Sequence, residues 1–139
     1  MIYLLDTNII SETIKPEPNK NVIRWLSALS NHHLAVSVLT IGEIRSGVER
    51  LEDKAKKIKL VKWLEVDLAE WFVDRVISID LKVADKWGYI SALTKKQLPT
   101  IDGLIAASAM VHGLKLVTRN VKDFKSVCGL ELINPFEDE

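Results

Sequence analysis

The chain has 139 residues, of which 47% are hydrophobic, and its 19 basic and 19 acidic residues give a formal net charge of zero. A chain of this length and composition is expected to fold as one domain, residues 1–139, with enough apolar side chains for a single core. The balanced charge excludes a general attraction to nucleic acid. Any binding to a polyanion therefore has to be local or assisted by a metal ion.

The first residues and the single cysteine together predict a cytoplasmic protein. The start of the chain has no basic segment before a long apolar run, and the longest apolar stretch, Leu104–Val111, is less than half of a membrane span. Cys128 excludes an internal disulfide and fits a reducing compartment. We expect it to be a small buried hydrophobic residue rather than a catalytic thiol.

Five short apolar runs predict β-strands, and the longer segments between them have the three- and four-residue spacing of helices. The strands are expected at Ile2–Leu5, Leu34–Leu39, Val76–Ile79, Leu114–Val117 and Glu131–Ile133. The helical segments are residues 8–14, 22–29, 41–51, 54–74, 81–96 and 101–111. Strands that alternate with helices predict a three-layer α/β/α sandwich around a mainly parallel sheet of about five strands.

Four acidic residues lie where a predicted strand ends or a predicted helix begins. Asp6 closes the first strand, and Glu43 follows the second strand and is expected to open the next helix. Asp102 begins the helix at residues 101–111, and Asp123 lies just beyond the fourth strand. In an open parallel sheet, the carboxyl ends of the strands and the helices that leave them line one crevice, where ligands bind. These four acids are therefore expected to meet at one edge of the sheet.

Each of these acids also has an ordinary structural explanation when it is taken alone. Asp6 and Asp102 can stabilise the first turn of a helix, and Asp123 can cap a short turn. Glu43 lies at the edge of an apolar stripe, which predicts a partly buried carboxylate that needs a partner. Four such acids at corresponding positions of the fold favour a shared site.

A cluster of these carboxylates needs a counterion. Three carboxylates about 5 Å apart repel one another by roughly 3 kcal/mol per pair at an effective dielectric constant near 20. A divalent cation is the usual way to make such a cluster tolerable, and hard oxygen ligands suit magnesium or manganese. The three histidines, His32, His33 and His112, lie outside the cluster and are not expected to act as bases.

Four motifs in this chain resemble those of PIN domains. They are LDTNIIS at residues 5–11, SVLTIGEIRSG at residues 37–47, DGLIAA at residues 102–107 and TRNVKDF at residues 118–124. The likeness covers essentially the whole chain and is greatest to the VapC-type ribonuclease toxins, particularly the FitB-like branch. It implies an α/β/α sandwich, an RNA substrate, a cognate antitoxin protein that holds the toxin silent, and a homodimer.

The resemblance also implies roles for individual residues. It matches Asp6, Glu43 and Asp102 to the first three acidic positions of the family, where they would bind Mg²⁺ or Mn²⁺. Thr7, Asn8 and Thr118 would support these ligands or contact a phosphate group.

The fourth acidic position of the family is ambiguous in this chain. Some relatives have an acid directly after the Thr-Arg pair, where this chain has Asn120, and Asp123 follows three residues later. Asn120 is a neutral oxygen ligand or a substrate contact, and Asp123 is a source of the fourth charge. The number of metal ions, one or two, stays open for the same reason.

Two other functions are compatible with parts of this pattern. One is a catalytically inactive PIN-like binding or scaffold module, in which Asn120 marks a degraded site. The other is an aspartyl-phosphate phosphatase of the haloacid-dehalogenase type, which also begins with a strand that ends in Asp. That mechanism requires a second Asp two residues later, where this chain has Asn8.

Two further groups of side chains bear on partners. The lysine-rich stretch at residues 54–62 has the charge to follow an RNA backbone, but the solvated face of an amphipathic helix is the favoured interpretation. Four tryptophans lie on apolar helix faces and are expected in the core, or in part at a dimer interface: Trp25, Trp63, Trp71 and Trp87.

Overall fold

The computed structural model describes residues 1–137, and in this part of the chain five strands form one sheet. The strands are β1 (Tyr3–Leu5), β2 (Leu34–Ser37), β3 (Val76–Ile77), β4 (Lys115–Val117) and β5 (Leu132–Ile133). Their order across the sheet is β3-β2-β1-β4-β5, and every neighbouring pair is parallel. From β1, the chain first adds β2 and β3 on one side of the sheet and then adds β4 and β5 on the other side. The strand order therefore reverses between β1 and β4, where open α/β sheets form their binding crevice.

Helices precede or follow each strand. They are α1 (Thr7–Glu12), α2 (Lys20–Ser27), α3 (Val38–Glu49), α4 (Lys54–Lys62), α5 (Ala69–Trp71), α6 (Leu81–Leu93), α7 (Thr100–Val111) and α8 (Val121–Phe124). A π-helical segment, Trp63–Leu68, joins α4 to α5, and a 3₁₀ turn, Asn31–His33, precedes β2. No helix within residues 1–137 combines the length and the apolar character that a membrane span requires.

The sheet lies between two apolar layers because alternate residues of a strand face opposite sides. Leu5 and Val36 pack with the layer formed by α1 to α4 and the π-helical segment. Leu4 and Ala35 face the other way and pack with α7, and α6 covers the outer side of α7. The predicted three-layer α/β/α sandwich with a parallel sheet is confirmed.

The boundary between β2 and α3 differs from the prediction. The apolar run was expected to stay extended to Leu39, but the strand ends at Ser37 and the helix begins at Val38. The Ser37 Oγ accepts the backbone N–H of Leu39 at 3.1 Å, which caps the helix two residues early. Glu43 consequently lies in the second turn of α3 and does not open the helix.

Two expectations about burial also need correction. Cys128 is exposed, because the preceding residue, Val127, occupies the core position of this turn and is only 4% exposed. Four lysines of α4 are exposed, as a solvated face requires, and Lys57 is partly buried and pairs with Glu49 at 3.2 Å. The tryptophans are partly buried and pack at the edges of the apolar clusters rather than inside them: Trp25, Trp63, Trp71 and Trp87.

Gly103 provides a test of the contact between α6 and α7. A Cβ atom at Gly103 would lie 2.9 Å from Nε1 and 3.0 Å from Cδ1 of Trp87, which is closer than van der Waals contact. We expect Gly103→Ala to lower the free energy of unfolding by about 1–3 kcal/mol, as overpacking does. Urea denaturation measures this change.

The matched control is Gly88→Ala in α6, where a Cβ atom meets nothing within 4 Å. This change should be neutral or stabilise the protein by about 0.5–1 kcal/mol, because alanine favours a helix. Adding Trp87→Leu to Gly103→Ala should recover part of the loss, since the clash is removed. Equal effects of the two glycine substitutions would contradict this account of the contact.

Candidate functional site

The predicted site residues meet in a crevice at the carboxyl ends of β1 and β4. Asp6 follows β1 directly, and Thr118 follows β4. The helix α3 starts at this edge because it leaves the end of β2. The first turn of α7, which contains Asp102, lies at the same edge because α7 runs back toward the start of β4. Three separate parts of the chain thus supply acids to one place.

Asp6 is buried, and its carboxylate is held by hydrogen bonds from three residues. It is only 5% exposed. The Oδ1 atom accepts the backbone N–H of Thr7 at 2.8 Å, which makes Asp6 the N-cap of α1. The Oδ2 atom accepts the hydroxyl of Thr118 at 2.8 Å and the amide Nδ2 of Asn8 at 3.4 Å. Asp6 therefore both caps α1 and lies in the crevice.

Glu43 reaches the crevice from α3 and is connected to Asp6 through Thr7. The Thr7 hydroxyl donates to Oε1 of Glu43 at 2.7 Å, while the Thr7 backbone N–H is bonded to Asp6. One residue thus fixes two carboxylates with respect to each other. The prediction that Glu43 is partly buried and has a partner is confirmed.

Asp102 is the acid whose charge is least compensated. Burial in the first place, and then the negative charges of Asp6, Glu43 and Asp123, raise the pKa of Asp102 to about 6. None of these causes stabilises the ionised carboxylate. Burial also raises the pKa of Asp6, although its hydrogen bonds oppose the shift. Carboxyl groups whose pKa values are raised by burial and by one another are characteristic of functional sites.

The two candidates for the fourth position differ in what they bring to the crevice. Asp123 is exposed, acts on Asp102 through its charge, and lies 3.9 Å from the Nζ of Lys96. Asn120 is also exposed, and its backbone N–H donates to the Thr118 hydroxyl at 3.0 Å. Only Asp123 adds a negative charge. Which of the two serves catalysis stays a prediction.

Two contacts at the crevice were missed from the sequence. One is Lys96, whose place beside Asp123 depends on how the loop between α6 and α7 folds back to the sheet edge. The other is made by Asn8, a residue already expected to support the ligands, whose amide joins the ends of β1 and β4. Its Nδ2 donates to Thr118 at 3.3 Å, and its Oδ1 accepts the backbone N–H of Arg119 at 3.0 Å.

The three histidines lie away from the crevice, as predicted. His32 and His33 form part of the 3₁₀ turn before β2, which is at the opposite edge of the sheet. His112 is the C-terminal cap of α7, also at the far end of its helix from Asp102. The crevice therefore relies on carboxylates, hydroxyls and amides.

The donor atoms of the crevice suit a hard divalent cation. Its acids offer only oxygen atoms, and the charge on Asp102 is opposed by burial and by its neighbours. Within residues 1–137, no group of three or more His, Cys, Asp or Glu side chains is arranged so that it could hold a metal ion as it stands. Magnesium keeps several of its waters and needs only one or two carboxylates, so an open crevice fits it better than a closed cage. That Asp6, Glu43 and Asp102 bind one ion together stays a prediction.

The fold and the carboxylate crevice define the class of protein. The model of the family described as PIN domain matches residues 3–130. The chain therefore belongs to the PIN-domain family, in the group that includes the FitB toxin and the VapC ribonucleases.

Individual relatives are similar over their full length. Toxin FitB of Neisseria gonorrhoeae is 36% identical, in a match that covers 99% of this chain and 100% of that protein. Ribonuclease VapC1 of Rickettsia felis is 33% identical, with 96% of each chain covered. The crystal structure of FitAcB from Neisseria gonorrhoeae matches with a TM-score of 0.93 at 34% identity, over 99% of this chain and 100% of that one. The resemblance drawn from the four motifs is confirmed.

The raised pKa of Asp102 predicts how stability depends on pH without metal. The folded-state pKa of about 6 lies above the unfolded value of roughly 3.9, so the favourable contribution is complete below the unfolded value and is lost as pH rises through about 6. Removing this titration with Asp102→Asn should raise the melting temperature at pH 7.5 and change it little at pH 4.5. Thermal unfolding in EDTA across this range measures the difference.

The control for this experiment is Asp67→Asn, which removes an acid from an exposed position in the π-helical segment. It should leave the pH profile of the melting temperature unchanged. A similar rise at pH 7.5 in both variants would mean that net charge, rather than the crevice, determines the effect.

Proposed function

We propose that this chain is a metal-dependent endoribonuclease and the toxin of a toxin–antitoxin pair. One observation carries the proposal. At the edge of a PIN-domain sheet, the charges of Asp6, Glu43 and Asp123 raise the pKa of Asp102. The relatives named as a toxin and a ribonuclease support the same activity. In this proposal residues 1–139 act as one nuclease domain, and the RNA substrate places its work in the cytoplasm.

In this proposal Asp6, Glu43 and Asp102 hold Mg²⁺ or Mn²⁺. The bound ion supplies a water of lowered pKa and neutralises charge on the phosphoryl oxygens. Asp102 contributes a carboxylate whose charge is opposed by burial and by the neighbouring acids, so a positive charge in the crevice stabilises its ionised form. Asp6 contributes a carboxylate that is already fixed in position, because Thr118 and the Thr7 N–H hold its two oxygens.

The residues around the acids orient them and limit their movement. Thr7 sets the position of Glu43 relative to Asp6 through its two hydrogen bonds. Asn8 and Thr118 join the ends of β1 and β4, which holds these two sides of the crevice together. Precise placement of this kind is a large part of what catalysis requires in phosphoryl transfer.

The two alternative functions fit the site less well. A phosphatase that forms an aspartyl-phosphate needs an acid at position 8, but this chain has Asn8, and its amide is engaged with Thr118 and Arg119. An inactive scaffold has no need for Asp102 to lie among three other acids, where it opposes folding at neutral pH. Metal binding separates the scaffold from the enzyme.

We expect the purified protein to cleave single-stranded RNA in Mg²⁺ or Mn²⁺ and to lose this activity in EDTA. Asp102→Asn should lower the cleavage rate by about a hundredfold or more, since several kcal/mol of charge stabilisation depend on the ion. Asp6→Asn should weaken Mn²⁺ binding in calorimetry. Asp67→Asn is the control and should retain both properties.

Two results would argue against this function. Cleavage that continues in EDTA and in the Asp102→Asn protein would indicate a contaminating nuclease or a different mechanism. Specific Mn²⁺ binding of equal strength by the wild type and by Asp6→Asn would remove Asp6 from the metal site.

The assignment of the fourth position can be tested separately. Because Asp123 adds a charge near Asp102 and Asn120 does not, we expect Asp123→Asn to lower the cleavage rate by about tenfold or more. Asn120→Ala should have a smaller effect. An inactive Asn120→Ala protein, together with a fully active Asp123→Asn protein, would assign the position to Asn120.

We propose that an antitoxin inhibits the enzyme by placing an arginine in the carboxylate crevice. A planar guanidinium can pair with a carboxylate through two hydrogen bonds, and it would compete with the metal ion for the same oxygens. Raising Mg²⁺ should therefore weaken inhibition by the product of an adjacent gene, and one Arg→Ala change in that partner should abolish it. Inhibition that no single arginine affects and Mg²⁺ never relieves would exclude this mechanism.

We also propose that the active form is a homodimer, since two-fold dimers are the commonest soluble assembly and the tryptophans are only partly buried in one chain. Light scattering coupled to size-exclusion chromatography gives the mass directly. A mass of one chain at micromolar concentration would contradict the dimer.

A further inference from the structure

We propose that a basic groove beside the crevice is a binding subsite for single-stranded RNA next to the bond that is cleaved. The basic groove lies between α8 and the C-terminal segment and is defined by Arg119, Asn120, Lys122, Lys125 and Asn134. Its volume is about 400 Å³, which is in the range of ligand pockets. The inference rests on the proposed ribonuclease function and specifies how its substrate is held.

The basic groove begins directly at the carboxylate crevice. The backbone N–H of Arg119 is bonded to Asn8, and that of Asn120 is bonded to the Thr118 hydroxyl, each at 3.0 Å. Thr118 in turn donates to the buried carboxylate of Asp6. A polynucleotide whose scissile phosphate lies in the crevice therefore has its neighbouring nucleotide in the groove.

The charge of the groove is suited to phosphate. Arg119, Lys122 and Lys125 are exposed, and within residues 1–137 none of them lies within ion-pair distance of an acid, in contrast to Lys15, Arg45, Lys57, Lys96 and Lys115. Three such cations form a local positive site on a chain whose net charge is zero. Local cations of this kind are what binding to a polyanion requires here.

Two acids also line the groove, and their effect is limited. Asp123 lies 3.9 Å from Lys96, which offsets its charge. Asp123 and Glu137 are thus two acids against three cations among the described residues that line the groove. The lining side chains of the groove therefore keep a net positive charge.

The groove also has fixed groups that suit an unpaired base. The guanidinium of Arg119 lies over the ring of Phe136 at 4.8 Å from its centroid. Asn134 accepts the backbone N–H of Phe136 at 3.0 Å and donates to the Arg119 carbonyl at 3.5 Å. Asn134 thus connects the C-terminal segment to Arg119 across the groove. Unstacked RNA bases stack on arginine planes and aromatic rings, and amides bond to their edges. A single strand can use these groups, whereas a duplex keeps its bases stacked.

The lysine-rich face of α4 is the other candidate surface for binding RNA. Lys56 and Lys59 border a larger cavity of about 550 Å³, but its other lining residues, such as Ile14, Pro16 and Leu60, include no aromatic or amide side chain. That face has positive charge without groups to receive a base. It therefore supplies a charge-matched control.

The test compares two triple variants in the full-length Asp102→Asn protein, which binds RNA without rapid cleavage. One carries Arg119→Gln, Lys122→Gln and Lys125→Gln, and the other carries Lys54→Gln, Lys56→Gln and Lys59→Gln. Fluorescence anisotropy with a labelled single-stranded RNA of about twelve nucleotides, in Mg²⁺ and at increasing KCl, gives the affinity and its salt dependence. Thermal unfolding establishes that both variants are folded.

We expect the groove variant to bind at least tenfold more weakly at 0.1 M salt. The slope of log affinity against log salt should fall by about 0.7 for each phosphate contact that is lost. The α4 variant should bind within twofold of its parent. In the active background, the groove changes should raise KM more than they lower kcat.

A single change tests the stacking separately and does not depend on the triple variant being folded. Arg119→Lys keeps the charge but loses the planar group over Phe136, so the salt slope should stay near that of the parent while affinity falls about threefold or more. Lys122→Gln with Lys125→Gln should do the reverse and reduce the slope.

Three outcomes would overturn the subsite. One is RNA binding by the groove variant within twofold of the parent, with an unchanged salt slope. The second is an equal or larger loss in the α4 variant. The third is unchanged RNA binding together with lost inhibition by the antitoxin, which would assign the groove to the protein partner. Metal-dependent cleavage by the wild type is measured independently, so the proposed ribonuclease function can stand when the subsite fails.

Discussion

Repulsion among carboxylates, gathered where the strand order reverses between β1 and β4, is the constraint on which this molecule depends. The parallel topology brings Asp6, Glu43 and Asp102 to one edge, and burial makes the charges of Asp6 and Asp102 more costly there. The hydroxyls of Thr7 and Thr118 offset part of that cost because each donates to a carboxylate. Asp102 receives no comparable compensation. A well-placed positive charge at this edge would therefore stabilise the fold.

This incomplete compensation connects stability to function. A fully satisfied network would be more stable, but its carboxylates would have little to gain from an added cation. Here Asp6 is positioned by its hydrogen bonds, while Asp102 keeps a raised pKa and an unsatisfied charge. In the proposed function, a metal ion and a guanidinium from a protein partner would offer positive charge to the same oxygens and compete for them. Competition for the crevice is therefore a direct consequence of how its charges are arranged.

The sequence predicted the layers, the parallel sheet and the acids of the crevice, because these follow from the order of strands and helices along the chain. It did not predict where elements end, which of two adjacent residues enters the core, or contacts between distant residues. The Ser37 cap ended β2 early and moved Glu43 into the second turn of α3, although the apolar run itself favoured a longer strand. Cys128 has the composition of a core residue, but Val127 occupies the interior position beside it. The Asn8 brace lies outside what local patterns contain.

The neutral net charge of the chain conceals a local separation of charge. The acidic crevice repels a phosphodiester, while the cations of the adjacent groove attract one, and Thr118 joins the two regions through its bonds to Asp6 and Asn120. Charges act over roughly 8 Å at physiological ionic strength, so the cations best placed to offset this repulsion are those that border the crevice. In the proposed subsite the lysines of α4 add to the charge balance of the chain without contacting the substrate. The position of Arg119, one residue beyond Thr118, therefore matters more for an anionic substrate than the total number of basic residues.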